Sequence, residues 1–129
     1  MESIKVGKEN IIRMEVTKDK LASGVGSGTL DVLATPMVVA LMEKASSELI
    51  QPYLADGITT VGVKIDIEHI SPTVQGVIVE AKSRLERIEG RKHIFTVEAY
   101  DNVGLIAKGT HERVSVKAES FLKKAKEKK

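Results

Sequence analysis

Hydrophobic positions between residues 36 and 51 follow the period of a helix. At 100° per residue, the apolar arc holds Val38, Met42, Ala45 and Leu49. Thr35 suits the N-cap and Pro36 suits the first helical position, where its missing N–H costs nothing. Pro52 marks the end of the pattern. The sequence therefore predicts one long amphipathic helix over residues 36–51.

After Asp56-Gly57 the hydrophobic period changes to two, which is typical of a half-buried strand. The inward phase of this strand is predicted to comprise Val61, Val63, Ile65 and Ile67. Further strands are predicted at residues 11–17, 77–85, 95–99 and 105–116. Short turns join the last strands, so we expect these to pair as an antiparallel meander. The glycine- and serine-rich residues 21–31 favour neither helix nor strand.

One strand, one long helix and four further strands predict a single α+β domain, residues 1–120, with the helix on one face of the sheet. The chain has 129 residues, 42% of them apolar and 29% charged, as expected for one globular domain. It holds neither a long apolar run nor the apolar core of a signal peptide, so we expect a cytoplasmic protein that does not enter a membrane. The absence of cysteine excludes disulfides, thiolate nucleophiles and the usual structural zinc sites, and we expect no metal.

The net charge of +2 arises from the C-terminal end of the chain. Residues 121–129 carry five lysines and one glutamate, which leaves the rest of the chain with a charge of −2. We interpret these nine residues as a basic C-terminal tail that favours solubility. The body has no basic stripe, and aromatic residues make up only 3% of the chain, so we expect no nucleic-acid partner.

Two polar side chains interrupt apolar surroundings. His69 continues the inward phase of the strand after residue 57, where it is either a histidine satisfied by nearby backbone or a catalytic group. Glu43 lies at the margin of the apolar arc of the helix, and it is either a surface carboxylate or a general base or nucleophile. His93 follows a turn and is expected to be exposed, whereas the inward face of the strand that holds His111 cannot be assigned.

Thr35 is explained by capping alone, yet the first-turn amides of Met37 and Val38 are candidates to hold an anion or stabilise an oxyanion beside it. Thr35 and Glu43 are eight residues apart, which is about 12 Å along a helix. They can hardly meet at one carbonyl carbon within a single chain. We therefore expect either a site built across a dimer interface or two groups that act at different points along an elongated substrate.

The segments ATPMVVALMEKAS, TTVGVKIDIEHISPT and VGLIAKGTHERVSV together resemble the hotdog-fold thioesterases, most closely the fluoroacetyl-CoA thioesterase branch. The resemblance covers roughly residues 8–118. It implies an antiparallel sheet wrapped around a long helix, with dimers that carry active sites at the subunit interface. It also implies that Thr35, Glu43 and His69 form the catalytic set, and that Gly62 and Arg113 line the acyl end of the pocket.

The resemblance implies an acyl-CoA thioesterase that needs no cofactor, since coenzyme A is part of the substrate. The alternative is a non-catalytic acyl-CoA-binding or sensing module on the same fold. A homodimer is expected, with assembly into tetramers left open. The fluoroacetyl enzyme carries pocket-gating aromatic residues before the threonine, whereas residues 24–33 have none here, so the acyl group is left open.

Overall fold

The computed structural model describes residues 3–129 and confirms an α+β fold in which a long helix packs on an antiparallel sheet. The strands are β1 (Glu9–Glu15), β2 (Ile58–His69), β3 (Ile78–Glu89), β4 (Lys92–Tyr100) and β5 (Leu105–Lys117). The helices are α1 (Ala22–Val25), α2 (Thr35–Ile50) and α3 (Ala118–Glu127). Short 3-10 turns lie at Lys18–Lys20 and Gln51–Tyr53.

The five strands form one sheet in the order β1-β3-β4-β5-β2. The meander of β3, β4 and β5 is confirmed, but β2 does not join it beside β3. Instead β2 pairs with β5 at the opposite edge, and β1 occupies the free side of β3. The reason is the link of residues 70–77, which contains Ser71-Pro72 and is too long for a tight hairpin.

The apolar arc of α2 is buried against the sheet, as the helical period predicts. Its buried residues are Val38, Leu41, Met42, Ala45, Ser46, Leu49 and Ile50. The apolar residues of this set belong to one core that includes Leu85 and Phe95 from the sheet. A hydroxyl pair crosses this core, because Ser46 Oγ lies 2.7 Å from Ser83 Oγ and also donates to the Met42 carbonyl over 2.9 Å.

A β-bulge between Gly62 and Lys64 changes which side chains of β2 face the helix. The predicted inward phase is wrong up to and including the bulge: Thr60 is 5% exposed, whereas Val63, the extra residue of the bulge, is 54% exposed. After the bulge it is confirmed, since Ile65 and Ile67 pack against the core. An extra residue in a strand shifts its phase by one, which exchanges the two faces. Gly62 is thereby directed at α2.

One segment expected to be irregular contains a helical turn, and the basic tail is helical as well. Residues 22–25 form the single turn of α1, and the C-terminal residues form α3. Alanine, lysine and glutamate favour helix, and Glu119 in the first turn with Lys124 and Lys126 in the last complements the helix dipole. In residues 3–129, no helix combines the length and the apolar character needed to cross a membrane.

Candidate active site

Thr35 is the first residue of α2 rather than its N-cap, so capping does not explain it. Ala34 occupies the N-cap in an extended conformation, and the described contacts of this cap include no side-chain hydrogen bond. The Thr35 hydroxyl oxygen instead lies 2.8 Å from Nδ1 of His69, the last residue of β2. The helix start and the strand end therefore bring two of the three predicted catalytic side chains together.

The first-turn amides predicted to be free are engaged. Met37 N–H and Val38 N–H both donate to the Ala34 carbonyl, over 3.0 and 3.3 Å. Pro36 has no N–H. The amide that remains at the helix start is that of Thr35, which donates to no backbone carbonyl within residues 3–129. The donor left at the helix start is thus Thr35 N–H, beside its own hydroxyl.

His69 is held in its neutral form beside a cavity of about 300 Å³ lined by Thr35, Leu33 and Pro72, among others. Burial lowers the pKa of His69, against a smaller opposing effect of the Ser71 backbone. Its Nε2 atom is buried, and no hydrogen-bond partner for it exists in the described part of the chain. A neutral imidazole has one nitrogen that accepts and one that donates, so in the 2.8 Å contact either the Thr35 hydroxyl donates to Nδ1 or Nδ1–H donates to the Thr35 hydroxyl oxygen.

Glu43 is half-buried and faces β2 at Gly62. A Cβ atom added to Gly62 would lie 2.8 Å from Oε2 of Glu43, 3.1 Å from Cε1 of His111 and 3.5 Å from Nη1 of Arg113. The missing side chain at Gly62 therefore leaves a small space bounded by a carboxylate, an imidazole and a guanidinium. Three of the residues predicted by resemblance, Glu43, Gly62 and Arg113, meet there.

Arg113 is buried and anchored to the opposite strand. Its Nε donates to Thr60 Oγ1 over 2.9 Å, and its Nη2 donates to the Thr60 carbonyl over 3.0 Å. Burial lowers the pKa of Arg113, and the Glu43 carboxylate opposes this shift. Because the usual pKa of arginine lies far above neutrality, the group is a fixed positive charge close to Glu43.

His111 and His93 are buried side chains whose surroundings sequence reasoning missed. His111 stacks against Phe95 with ring centroids 6.0 Å apart, and its Nε2 lies 3.2 Å from Arg113 Nη1. His93 was expected to be exposed, but β4 begins at Lys92, so His93 falls inside the sheet opposite Arg113. The surroundings of both histidines depend on how the strands are paired in register, and the hydrophobic period of a single strand does not give this pairing.

Within one chain, the predicted catalytic residues form two groups. One is the Thr35–His69 pair and the other is Glu43 with the residues around Gly62. Since α2 is continuous from Thr35 to Ile50, the axial separation of about 12 Å between Thr35 and Glu43 stands. Within residues 3–129, no group of three or more His, Cys, Asp or Glu side chains is placed to hold a metal ion.

Known proteins resemble this chain over nearly its whole length. Residues 16–119 match the family described as "Fluoroacetyl-CoA-specific thioesterase". The fluoroacetyl-CoA thioesterase of Streptantibioticus cattleyicolor is 37% identical over 98 residues, which cover 76% of this chain and 70% of that protein.

Solved structures agree with this similarity. A structure of a fluoroacetyl-CoA thioesterase superposes with a TM-score of 0.95 at 30% identity and covers 99% of each chain. A hypothetical protein of Thermus thermophilus, described as a thioesterase superfamily member, superposes with a TM-score of 0.89 at 29% identity, over 99% of this chain and 97% of that one.

Proposed function

Because this chain belongs to the fluoroacetyl-CoA-specific thioesterase family, we propose that Thr35, Glu43 and His69 are its catalytic residues. The enzyme is a thioester hydrolase of the hotdog fold that acts on acyl-CoA, as the resemblance implied. The observation that carries the proposed site is the 2.8 Å contact between the Thr35 hydroxyl and His69 Nδ1. A capping hydroxyl would have bonded to its own helix, whereas this one is paired with a neutral base.

The chemistry follows from what each group offers. Glu43 either attacks the thioester carbonyl carbon, forming an anhydride that water then hydrolyses, or takes a proton from the water that attacks. The Thr35 amide and hydroxyl donate to the oxygen that becomes negative. The hydroxyl oxygen accepts from His69 Nδ1–H, which leaves Nε2 as the basic nitrogen of the ring. As the C–S bond breaks, His69 passes to the coenzyme A thiolate a proton that its basic nitrogen has accepted from water, so the ring begins and ends the cycle neutral. Either route consumes one water and yields a carboxylic acid and a free thiol.

The separation of Thr35 and Glu43 supports a site completed by a second subunit. Strand β2 lies at the sheet edge with β5 on one side only, and the bulge leaves Val63 exposed there. Antiparallel pairing of two β2 edges would set the His69 end of one strand beside the Ile58 end of the other. The Thr35–His69 pair of one subunit then works with Glu43 of its partner. An elongated substrate that reaches both groups within one chain is the alternative.

Release of free thiol from short, branched, aromatic and long acyl-CoAs tests this proposal. Glu43→Gln and Thr35→Ala are each expected to lower kcat by about 100-fold or more while KM changes by only a few-fold. Glu48→Gln is the matched control, since Glu48 lies on the same helix and pairs with Lys44 over 3.9 Å at the surface. Near-normal turnover by Glu43→Gln contradicts the mechanism. Binding of acyl-CoA without thiol release by the wild type favours the binding or sensing module instead.

A further inference from the structure

We propose that His111 is a positioning residue that holds the Arg113 guanidinium at the acyl end of the site and keeps it from closing onto Glu43. This inference rests on the proposed function for its catalytic consequence only. His111 lies 1% exposed between the helix and the sheet, and neither hydrolytic route assigns it a task. Its two ring nitrogens nevertheless make defined contacts on opposite sides of the ring.

The contacts of His111 determine its tautomer. Arg113 Nη1 lies 3.2 Å from His111 Nε2, and a guanidinium only donates hydrogen bonds, so Nε2 is the acceptor. The proton of the neutral ring is therefore on Nδ1, which donates to the Lys64 carbonyl over 2.8 Å. The β-bulge places this carbonyl, because Lys64 is the first residue after it. The backbone thus orients the imidazole, and the imidazole orients the arginine.

Nη1, the nitrogen of Arg113 that contacts His111, is also the one that borders the space at Gly62. Nη1 lies 3.5 Å from the position of an added Cβ there, while Nε and Nη2 are held by Thr60. Glu43 attracts this charge, yet none of the direct ion pairs seen among residues 3–129 joins the two. Thr60 holds only the Nε–Nη2 edge of the planar guanidinium, so without its acceptor on His111 the group can tilt about that edge and bring Nη1 towards the carboxylate. The resulting ion pair would occupy the space and engage the group that must react.

Two substitutions separate positioning from packing. The side-chain carbonyl of His111→Gln reaches the place of Nε2 and still accepts from Arg113, whereas the shorter amide of His111→Asn matches Nδ1 alone. Both lose the ring that stacks on Phe95, so any packing defect is shared. We expect His111→Gln to stay within about 3-fold of wild-type kcat and His111→Asn to fall by about 10- to 100-fold, with KM little changed in both. Equal kcat values for the two variants, whether high or low, overturn the proposal.

A second measurement does not depend on turnover or on the variants folding. In ¹⁵N-labelled wild-type protein at neutral pH, the ring nitrogens of His111 should report the Nδ1–H tautomer, and the Arg113 Nε–H should exchange slowly. An Nε2–H tautomer, or a doubly protonated ring, overturns the inference even if the enzyme is active. If the wild type releases no thiol but the Nδ1–H tautomer is seen, the proposed function fails and the His111–Arg113 contact stands.

Discussion

Substitution of Gly62 by alanine tests whether the position of the Glu43 carboxylate controls turnover. Gly62 is not among the glycines with positive φ, so alanine fits its backbone. The new Cβ would lie only 2.8 Å from Glu43 Oε2, whereas an ordinary contact begins at about 3.4 Å. The carboxylate must therefore retreat by about 0.6 Å, and the His111 ring, at 3.1 Å, by less.

The stability and activity effects of Gly62→Ala should differ. The carboxylate is the end of a flexible side chain, and replacing glycine lowers the entropy of the unfolded chain, worth about 0.4–1 kcal/mol. We therefore expect the free energy of unfolding to change by about 1 kcal/mol or less. A displacement approaching 1 Å at a reacting group costs up to about 100-fold in rate, so kcat should fall by about 10- to 100-fold. That loss corresponds to about 1.4–2.7 kcal/mol of transition-state stabilisation.

Thiol release and urea unfolding of the same protein samples measure both effects. Gly104→Ala is the matched control, because a Cβ at Gly104 has no neighbour within 4 Å among the described residues and its φ is not positive. This control should retain full turnover. A Gly62→Ala enzyme that is stably folded and keeps kcat within about 2-fold of the wild type refutes the reasoning that places Glu43 at the reacting carbon.

Three further outcomes follow from the structure. Burial lowers the pKa of all three histidines from 6.5, so the unfolded chain binds more protons below that pH. The free energy of unfolding measured with urea should fall between pH 7.5 and 5.5, by up to about 1.4 kcal/mol per histidine per pH unit, and a flat profile contradicts the burial. Ser46→Ala leaves the buried Ser83 hydroxyl without its partner and should lower the free energy of unfolding in urea by about 1–3 kcal/mol. The double variant, with alanine at both Ser46 and Ser83, should be no less stable than Ser46→Ala alone. Thr35→Val should keep wild-type thermal stability yet lose turnover, whereas a capping role predicts a loss of about 1 kcal/mol.

The helix was the most predictable part of the fold. A period of 3.6 identified its buried face, and Pro36 and Pro52 located its ends to within a residue or two. Strand β2 was less predictable, because Val61, Val63 and Ile65 alternate as though the strand were regular. The bulge interrupts that phase, and the signal for it was a glycine inside a strand pattern. The position of β2 beside β5 is a long-range pairing that no local period contains.

The sequence supplied candidate residues for the site but not the contacts among them. Resemblance marked Thr35, Glu43 and His69, and the axial rise of a helix indicated that Thr35 and Glu43 cannot meet. Chain order alone gave no sign that the Thr35 hydroxyl bonds to His69 instead of capping. The burial of His93 depends on the register of β4 against β3, which the two-residue turn before β4 sets, and on the pairing of β4 with β5. Such cross-strand neighbours follow from the fold and not from spacing.

A mixed dimer tests most directly the claim that two subunits complete each site. One chain carries Thr35→Ala and the other Glu43→Ala, with different affinity tags so that only the heterodimer is purified. Each homodimer should release almost no thiol. If Thr35 and His69 act with the partner's Glu43, one of the two sites in the heterodimer is intact, and kcat per dimer should return to about half of the wild-type value. A heterodimer as inactive as its parents contradicts the shared site and places all three residues in one chain.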